Sequence, residues 1–377
     1  MKPIYLDYNA TTPVDSQVLK AMLPFFEDCF GNPSSSHFYG KPAKEAVKKA
    51  RAQVAQLIGA KPSEVLFTSG GTESNNHAII GTVFANMEKG KHIITSKVEH
   101  PAVLETVKYL QDRFSFKITH LPVDKYGMVS PSNVEKAITS ETTLITIMHA
   151  NNEVGTINLI EEIAEIAEEK SITFHTDAAQ SCGKIPVNID ELKVDLLTIA
   201  GHKLYAPKGI GALYIRNGIK LDKYIHGAGQ EQGRRAGTEN VPYIVGLGKA
   251  CQIASNNLPT YSQNIKTLRD RLHKNLLDGL GIERVTLNGN PEKRLPNTLN
   301  ISIQGIIGEE LLQRTPEIAA STGSACHAGS TEPSAVLLEM GIPREQALGA
   351  LRLSLGRWTT SEEVDEAAKL IAHNAIS

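Results

Sequence analysis

The chain has 377 residues, and 39 Lys and Arg against 41 Asp and Glu leave a formal net charge of −2. That length exceeds what one hydrophobic core usually spans, so two packed domains are expected. The near-neutral charge gives no reason to seek nucleic acid or an anionic membrane as the main ligand. No apolar run approaches about 18 residues, and the opening MKPIYLDYNATTP lacks the apolar stretch of a signal peptide, so a cytoplasmic protein without a membrane span is expected.

Taken in chain order, AKEAVKKARAQVAQLIG places apolar residues at 43, 46, 47, 50, 54, 57 and 58, opposite Lys44, Lys48, Lys49 and Arg51, and predicts an amphipathic helix. EVLFTS reads as a buried strand and TESNNHAIIGTVFANM as the helix after it. KHIITSKVEH, TTLITIMHA, ITFHTDA, DLLTIAG and IGALYIR are short β-rich runs, and LIEEIAEIAEEK, apolar at 160, 163, 164 and 167, is a crossover helix. Such alternation predicts a mostly parallel sheet covered on both faces. SNNLPTYSQN reads as a polar joint, followed by a helix over YSQNIKTLRDRLHKNLLDGL and the strands TLNISI and ALRLSLG of a smaller α+β unit. The expected domains are a large one at 14–256 and a small one made of 1–13 and 257–377.

Four cysteines, Cys29, Cys182, Cys251 and Cys326, are widely spaced and form no C-x-x-C, which speaks against a local zinc or iron–sulfur motif and against a disulfide framework. The first three lie in or beside apolar segments and read as small core residues. Cys326 differs: ASTGSACHAGSTEPS surrounds it with small residues that could anchor no core, so a loop that is cheap to move is expected there.

Three strand ends carry chemistry. FTSGGTESNN puts two glycines between a strand and a helix that begins at Thr72–Glu73, either a phosphate cradle or a glycine turn with a threonine cap. FHTDAAQS ends a strand on Asp177, either a helix cap or a carboxylate for a cationic nitrogen, with Gln180 three residues later. In IAGHKLYAPKGIG, Lys203 follows another strand, either solvated or poised as an amine. The 26-residue gap between Asp177 and Lys203 is about one loop–helix–strand excursion, which brings both to the same sheet edge. A lysine for a Schiff base and an aspartate for a pyridinium nitrogen are the minimal apparatus of a pyridoxal phosphate enzyme.

SGGTESNN (69–76), VEHPAVL (98–104), NNEVGTI (151–157), Asp177 with Gln180, GHK (201–203) and GRRAGTEN (233–240) resemble the class V aminotransferase family. With GSACHAG (323–329) and LRLSLGR (351–357) they resemble the cysteine desulfurases of the NifS/IscS group, from YLDYNATTP nearly to the end of the chain. The resemblance implies the pyridoxal phosphate-dependent transferase fold of type I, with a seven-stranded sheet in the large domain and the cysteine loop on the small one. Lys203 would carry the cofactor, Asp177 would hold its pyridinium nitrogen, and His100 would stack on the ring and relay protons. Gln180 and Asn152 would bond the side of the phenolic oxygen, while Gly71, Thr72 and His202 would bind phosphate. Thr238 would reach the phosphate of a partner subunit, implying a homodimer. Arg352 would clamp the substrate carboxylate, assisted by Asn32 and Asn152; without the resemblance Arg352 reads as a surface ion pair and His100 as a core histidine.

The implied reaction converts L-cysteine to L-alanine and leaves the sulfur as a persulfide on Cys326 for an acceptor protein, in iron–sulfur cluster assembly, tRNA thiolation or DNA phosphorothioation. A selenocysteine lyase of the same fold is the nearest alternative; an aminotransferase and a non-catalytic scaffold lie further away. Two positions depart from the family pattern: Ala200 stands where a serine is usual, and Ala206 where a glycine is usual.

Overall fold

The runs VLFT, HIITS, TTLIT, LLTIA and GALYI are buried along their whole length, as strands covered on both faces must be. In the computed structural model, which describes residues 3–323 and 332–376, twelve strands form. They are β1 (Ile4–Tyr5), β2 (Val65–Thr68), β3 (His92–Ser96), β4 (Lys117–Leu121), β5 (Thr142–Thr146), β6 (Thr173–Asp177), β7 (Leu196–Ala200), β8 (Gly211–Ile215), β9 (Val285–Asn288), β10 (Thr298–Ile303), β11 (Ile318–Ala319) and β12 (Ala350–Ser354).

Seven of them make one sheet in the order β2-β8-β7-β6-β5-β3-β4. β8 runs antiparallel to β2 and β7, and the remaining pairs are parallel, as the alternation of strands and helices requires. β4 is an edge strand with partly exposed residues, KITHL, and β9 is likewise at an edge; neither has the apolar run by which the buried strands are read. β12, β10 and β9 form an antiparallel sheet, and β1 pairs with β11 in parallel.

The polar joint expected at SNNLPTYSQN is instead helix. A single helix of 40 residues runs from Val241 to Leu280, with Pro259 inside it, spanning about 60 Å. Its first half buries Ile244, Leu247, Ala250 and Ala254 in a core beneath the large sheet. Its second half buries Ile265, Leu272, Leu276 and Leu280 in another core, with Leu6, Leu299, Ile301, Leu353 and Ile371. Between the two the helix crosses open surface, so it carries no apolar stripe there, and the polar composition marks that crossing and not a break. Cys182 and Cys251 are buried, and burial pushes the Cys251 thiol up to about 12. Cys29 is half-buried, so the core reading fails for it. Cys326 and the expected mobility of its loop lie outside the described residues.

Candidate active site

β6 and β7 are parallel neighbours in which Asp177 pairs with Thr198, so both chains leave the sheet at the same edge. Asp177 is the last residue of β6, and Lys203 closes the short helical turn Gly201–Lys203 directly after β7. A cavity of about 490 Å³ opens over this edge. Gly71, Thr72, His100, Asn152, Asp177, Gln180, His202, Lys203 and Arg352, nine residues expected from sequence to act together, line it.

Lys203 is not solvated. Its Nζ donates to the backbone oxygens of Asn9, at 2.5 Å, and Ala10, at 2.7 Å. Burial, and then the Arg352 cation, bring its ammonium down to about 8, against a weaker upward pull from Asp7 and Asp177. A neutral, nucleophilic amine is therefore accessible near neutral pH.

Asp177 takes the capping role of its sequence position on a turn, since no helix follows it directly. One oxygen, Oδ1, caps the Ala179 N–H at 2.9 Å, and the other, Oδ2, accepts from Asn75 Nδ2 at 2.7 Å. His100 is the N-cap of the helix Pro101–Phe114, where its Nδ1 accepts from Ala102 N at 3.1 Å. A neutral imidazole in that role carries its proton on Nε2. Burial lowers its proton affinity first; Asp177 opposes this and Lys203 adds to it.

The helix Gly71–Ala85, whose start also lines the cavity, begins one residue earlier than expected from sequence, and its N-cap is Gly70, not Thr72. Gly70 sits at φ +152°, a conformation that favours glycine, and a Cβ there would meet open space. The first turn of a helix presents unpaired N–H groups and the positive end of its dipole, which suits a phosphate. Ala200 faces this turn: a Cβ added to Gly71 would lie 3.1 Å from the Ala200 Cβ. Ala206, the other departure, is buried. His202 bonds Thr11 Oγ1 through Nδ1 at 3.2 Å, and burial followed by the Lys203 charge lowers it to about 4.

Arg352 lies on β12 and is buried, so the surface reading fails, although it does form an ion pair. It donates through Nη2 to Asp7 Oδ1 at 2.9 Å and through Nη1 to the Asn152 oxygen at 3.2 Å. Its Nε has no partner among the described residues. Glu153, beside it, accepts from Ser334 Oγ; burial raises its carboxyl to about 7 against the pull of Ser334 and Arg352.

Asn32 and Thr238 are exposed and do not line this cavity in the single chain, and Cys326 lies outside the described residues. Sequence reasoning missed Asp7, Asn9, Asn75, Glu153 and Lys184. Asn9 is a hub: besides receiving Lys203, its backbone oxygen accepts from Gln180 Nε2 at 3.0 Å, and its side chain bonds Asn297, Thr298 and Lys184. The only signal for it was its place in YLDYNATTP.

The geometry gathers in one cavity a carboxylate, a helix N-terminus, an amine of lowered proton affinity and a buried arginine. Residues 4–367 match the family described as aminotransferase class-V. A protein of Methanosarcina thermophila named cysteine desulfurase IscS is 52% identical over 372 residues, 98% of this chain and 91% of the relative. Among solved structures, a NifS-like protein superposes with a TM-score of 0.92 at 40% identity, covering 99% of both chains. SspA in complex with cysteine superposes with a TM-score of 0.81, also at 40% identity, covering 94% of this chain and 99% of that one. The chain belongs to the aminotransferase class-V family.

Proposed function

We propose that this chain is a pyridoxal phosphate-dependent cysteine desulfurase, converting L-cysteine to L-alanine and passing the sulfur through Cys326 to an acceptor protein. The observation that carries the reading is Lys203, a half-buried amine held by two backbone oxygens, in one cavity with Asp177, Arg352 and the N-terminus of the helix Gly71–Ala85. The residues fit the cofactor. Lys203 would hold it covalently, Asp177 would pair with the ring nitrogen, Gln180 and Asn152 would bond the phenolic-oxygen side, and Gly71, Thr72 and His202 would take the phosphate. Arg352 lines the same cavity with its guanidinium held in place by Asp7 and the Asn152 oxygen, and a fixed planar cation suits a substrate carboxylate.

Bound pyridoxal phosphate supplies an electron sink for the negative charge that develops next to the substrate amino group. Arg352 orients the cysteine by its carboxylate, with Asn152 beside it in the cavity. Lys203 gives up its place to the substrate amino group and, as the freed neutral amine, takes the α-proton. The Cys326 thiolate attacks the substrate sulfur: an S–S bond forms as the C–S bond breaks, and the C–S electron pair stays on carbon. His100, with its proton on Nε2, is placed to deliver a proton as alanine forms, and Cys326 is left as a persulfide.

Cysteine is favoured over selenocysteine by the names of the similar proteins and by the similar structure that holds cysteine. The exposed position of Thr238 fits a homodimer in which it reaches the phosphate of the neighbouring site. No described helix is long and apolar enough to cross a membrane, and we propose a cytoplasmic enzyme. The division into 14–256 and 1–13 with 257–377 is kept as a proposal in which the two units share the helix Val241–Leu280.

The test is Lys203→Ala. The wild type, reduced with borohydride, should gain the mass of one cofactor on Lys203; the variant should gain none and release no alanine from cysteine. Alanine release at the wild-type rate by the variant would refute the assignment.

A further inference from the structure

Lys184 is a second lysine at the same sheet edge, only 4% exposed, and the reaction above makes no use of it. It lies four residues beyond Gln180 on the turn that follows β6. No carboxylate pairs with it among the described residues. Its Nζ bonds Gln180 Oε1 at 2.6 Å and Asn9 Oδ1 at 3.2 Å. Burial, then the neighbouring cations Lys203 and Arg352, drive its proton affinity well below that of an ordinary lysine. A neutral amine has two N–H groups, one for each of these two amide oxygens.

That arrangement decides which way the Gln180 amide faces. Lys184 requires the oxygen on its side, and the Asn9 backbone carbonyl, 3.0 Å away, requires the nitrogen on the other. One Nε2–H goes to Asn9, and the second is left for a ligand in the cavity that Gln180 lines. Asn9 is oriented in the same way. Its Oδ1 takes Lys184 and, at 3.0 Å, Asn297 Nδ2, while its own Nδ2 donates to Thr298 Oγ1 at 2.8 Å and to the Asn152 oxygen at 3.2 Å. The Asn9 carbonyl so placed is the one that receives Lys203. Without Lys184, Gln180 Oε1 loses its donor and only the Asn9 carbonyl still holds the amide, so its N–H toward the cavity is less firmly placed.

We infer that Lys184 is a positioning residue: it locks Gln180 with an amide N–H toward the cofactor's phenolic oxygen and thereby sets the acidity of the bound cofactor. The inference rests on the proposed binding of pyridoxal phosphate. A hydrogen bond donated to an anionic oxygen favours the deprotonated form, so its loss raises the pH at which the bound cofactor gives up its proton.

The experiment uses cofactor-loaded protein without substrate and reads the pH midpoint of the visible absorbance change. Lys184→Met should raise the midpoint by about one unit, the scale of one charge-assisted hydrogen bond. It should cause no further shift in a Gln180→Ala background, because Lys184 acts through Gln180. Lys184→Gln, which keeps an N–H donor, should stay closer to the wild-type midpoint. An unchanged midpoint in Lys184→Met, an equal shift on top of Gln180→Ala, or a shift in Lys184→Gln as large as in Lys184→Met each overturns the role of Lys184. Wild-type protein that fails to hold pyridoxal phosphate overturns the proposed function and this inference with it.

Discussion

Asn75 Nδ2 lies 2.7 Å from Asp177 Oδ2, so the second turn of the helix Gly71–Ala85 holds the carboxylate at the end of β6. The other end of that amide, Oδ1, is buried with no partner among the described residues, which leaves Asn75 serving Asp177 by its nitrogen alone. Asn75→Ala should leave Asp177 free to turn and weaken retention of the cofactor. A hydrogen bond to a charged group contributes about 1.5–3 kcal/mol, so the dissociation constant for pyridoxal phosphate, measured by fluorescence titration of cofactor-free protein, should rise about tenfold to a hundredfold.

Capture of the cofactor should follow the Lys203 amine. With its ammonium at about 8 in place of 10.5, the rate at which cofactor-free protein takes up pyridoxal phosphate should rise with pH and level off above about 8. Arg352 is the leading charge behind the lowering after burial, so Arg352→Gln should move that midpoint upward in stopped-flow absorbance. The stability sign follows from the same shift. Between about 8 and 10.5 the unfolded chain binds more protons at this position than the folded one, so the Lys203 contribution to stability improves as pH rises through that window.

Ala200→Ser adds a hydroxyl beside the first turn of the helix Gly71–Ala85, the proposed phosphate site, where the present Cβ stands 3.1 Å from a Cβ built on Gly71. One neutral hydrogen bond contributes about 0.5–1.5 kcal/mol net. Cofactor loss on dialysis should slow by about twofold to tenfold, and unchanged loss would mean that the phosphate gains nothing from that hydroxyl.

Cys326→Ser should still bind pyridoxal phosphate and cysteine but should neither form a persulfide nor hand sulfur to an acceptor. Mass spectrometry after incubation with cysteine should find the added sulfur on Cys326 of the wild type and nowhere on the variant. Cys182 and Cys251 are buried with thiols pushed up by burial, so they do not substitute as thiolates.

Asp177 and Lys203 were legible because a parallel sheet sends every strand end to one edge, and the 26 residues between them fit one excursion. Asn75 and Lys184 were not. An asparagine in an early helical turn reads as local capping, and a lysine near a turn reads as solvated, until the tertiary fold buries each against a partner 102 or 175 residues away. Asp7 and Asn9 are harder still, since Arg352 and Ser354, which hold them, are 345 residues distant. The buried strands announced themselves by β-branched runs, whereas the edge strand KITHL did not. The helix across residues 256 and 257 was misread because periodicity reports burial, and that stretch is helical without being buried.

The strand β1 and the hub at Asn9 also set an order of assembly. Asn9 is made 345 residues before Ser354, yet its backbone N–H awaits Ser354 Oγ and its side chain awaits Asn297 and Thr298. Until those residues are made, the carbonyl that receives Lys203 is held only through Gln180, Lys184 and Asn152. The central sheet, whose strands end by Ile215, can form well before that, so the nascent chain passes through a stage with a folded sheet and an unformed lysine cradle. Competence to take up cofactor is therefore acquired only after Ser354 has been made and has met Asn9.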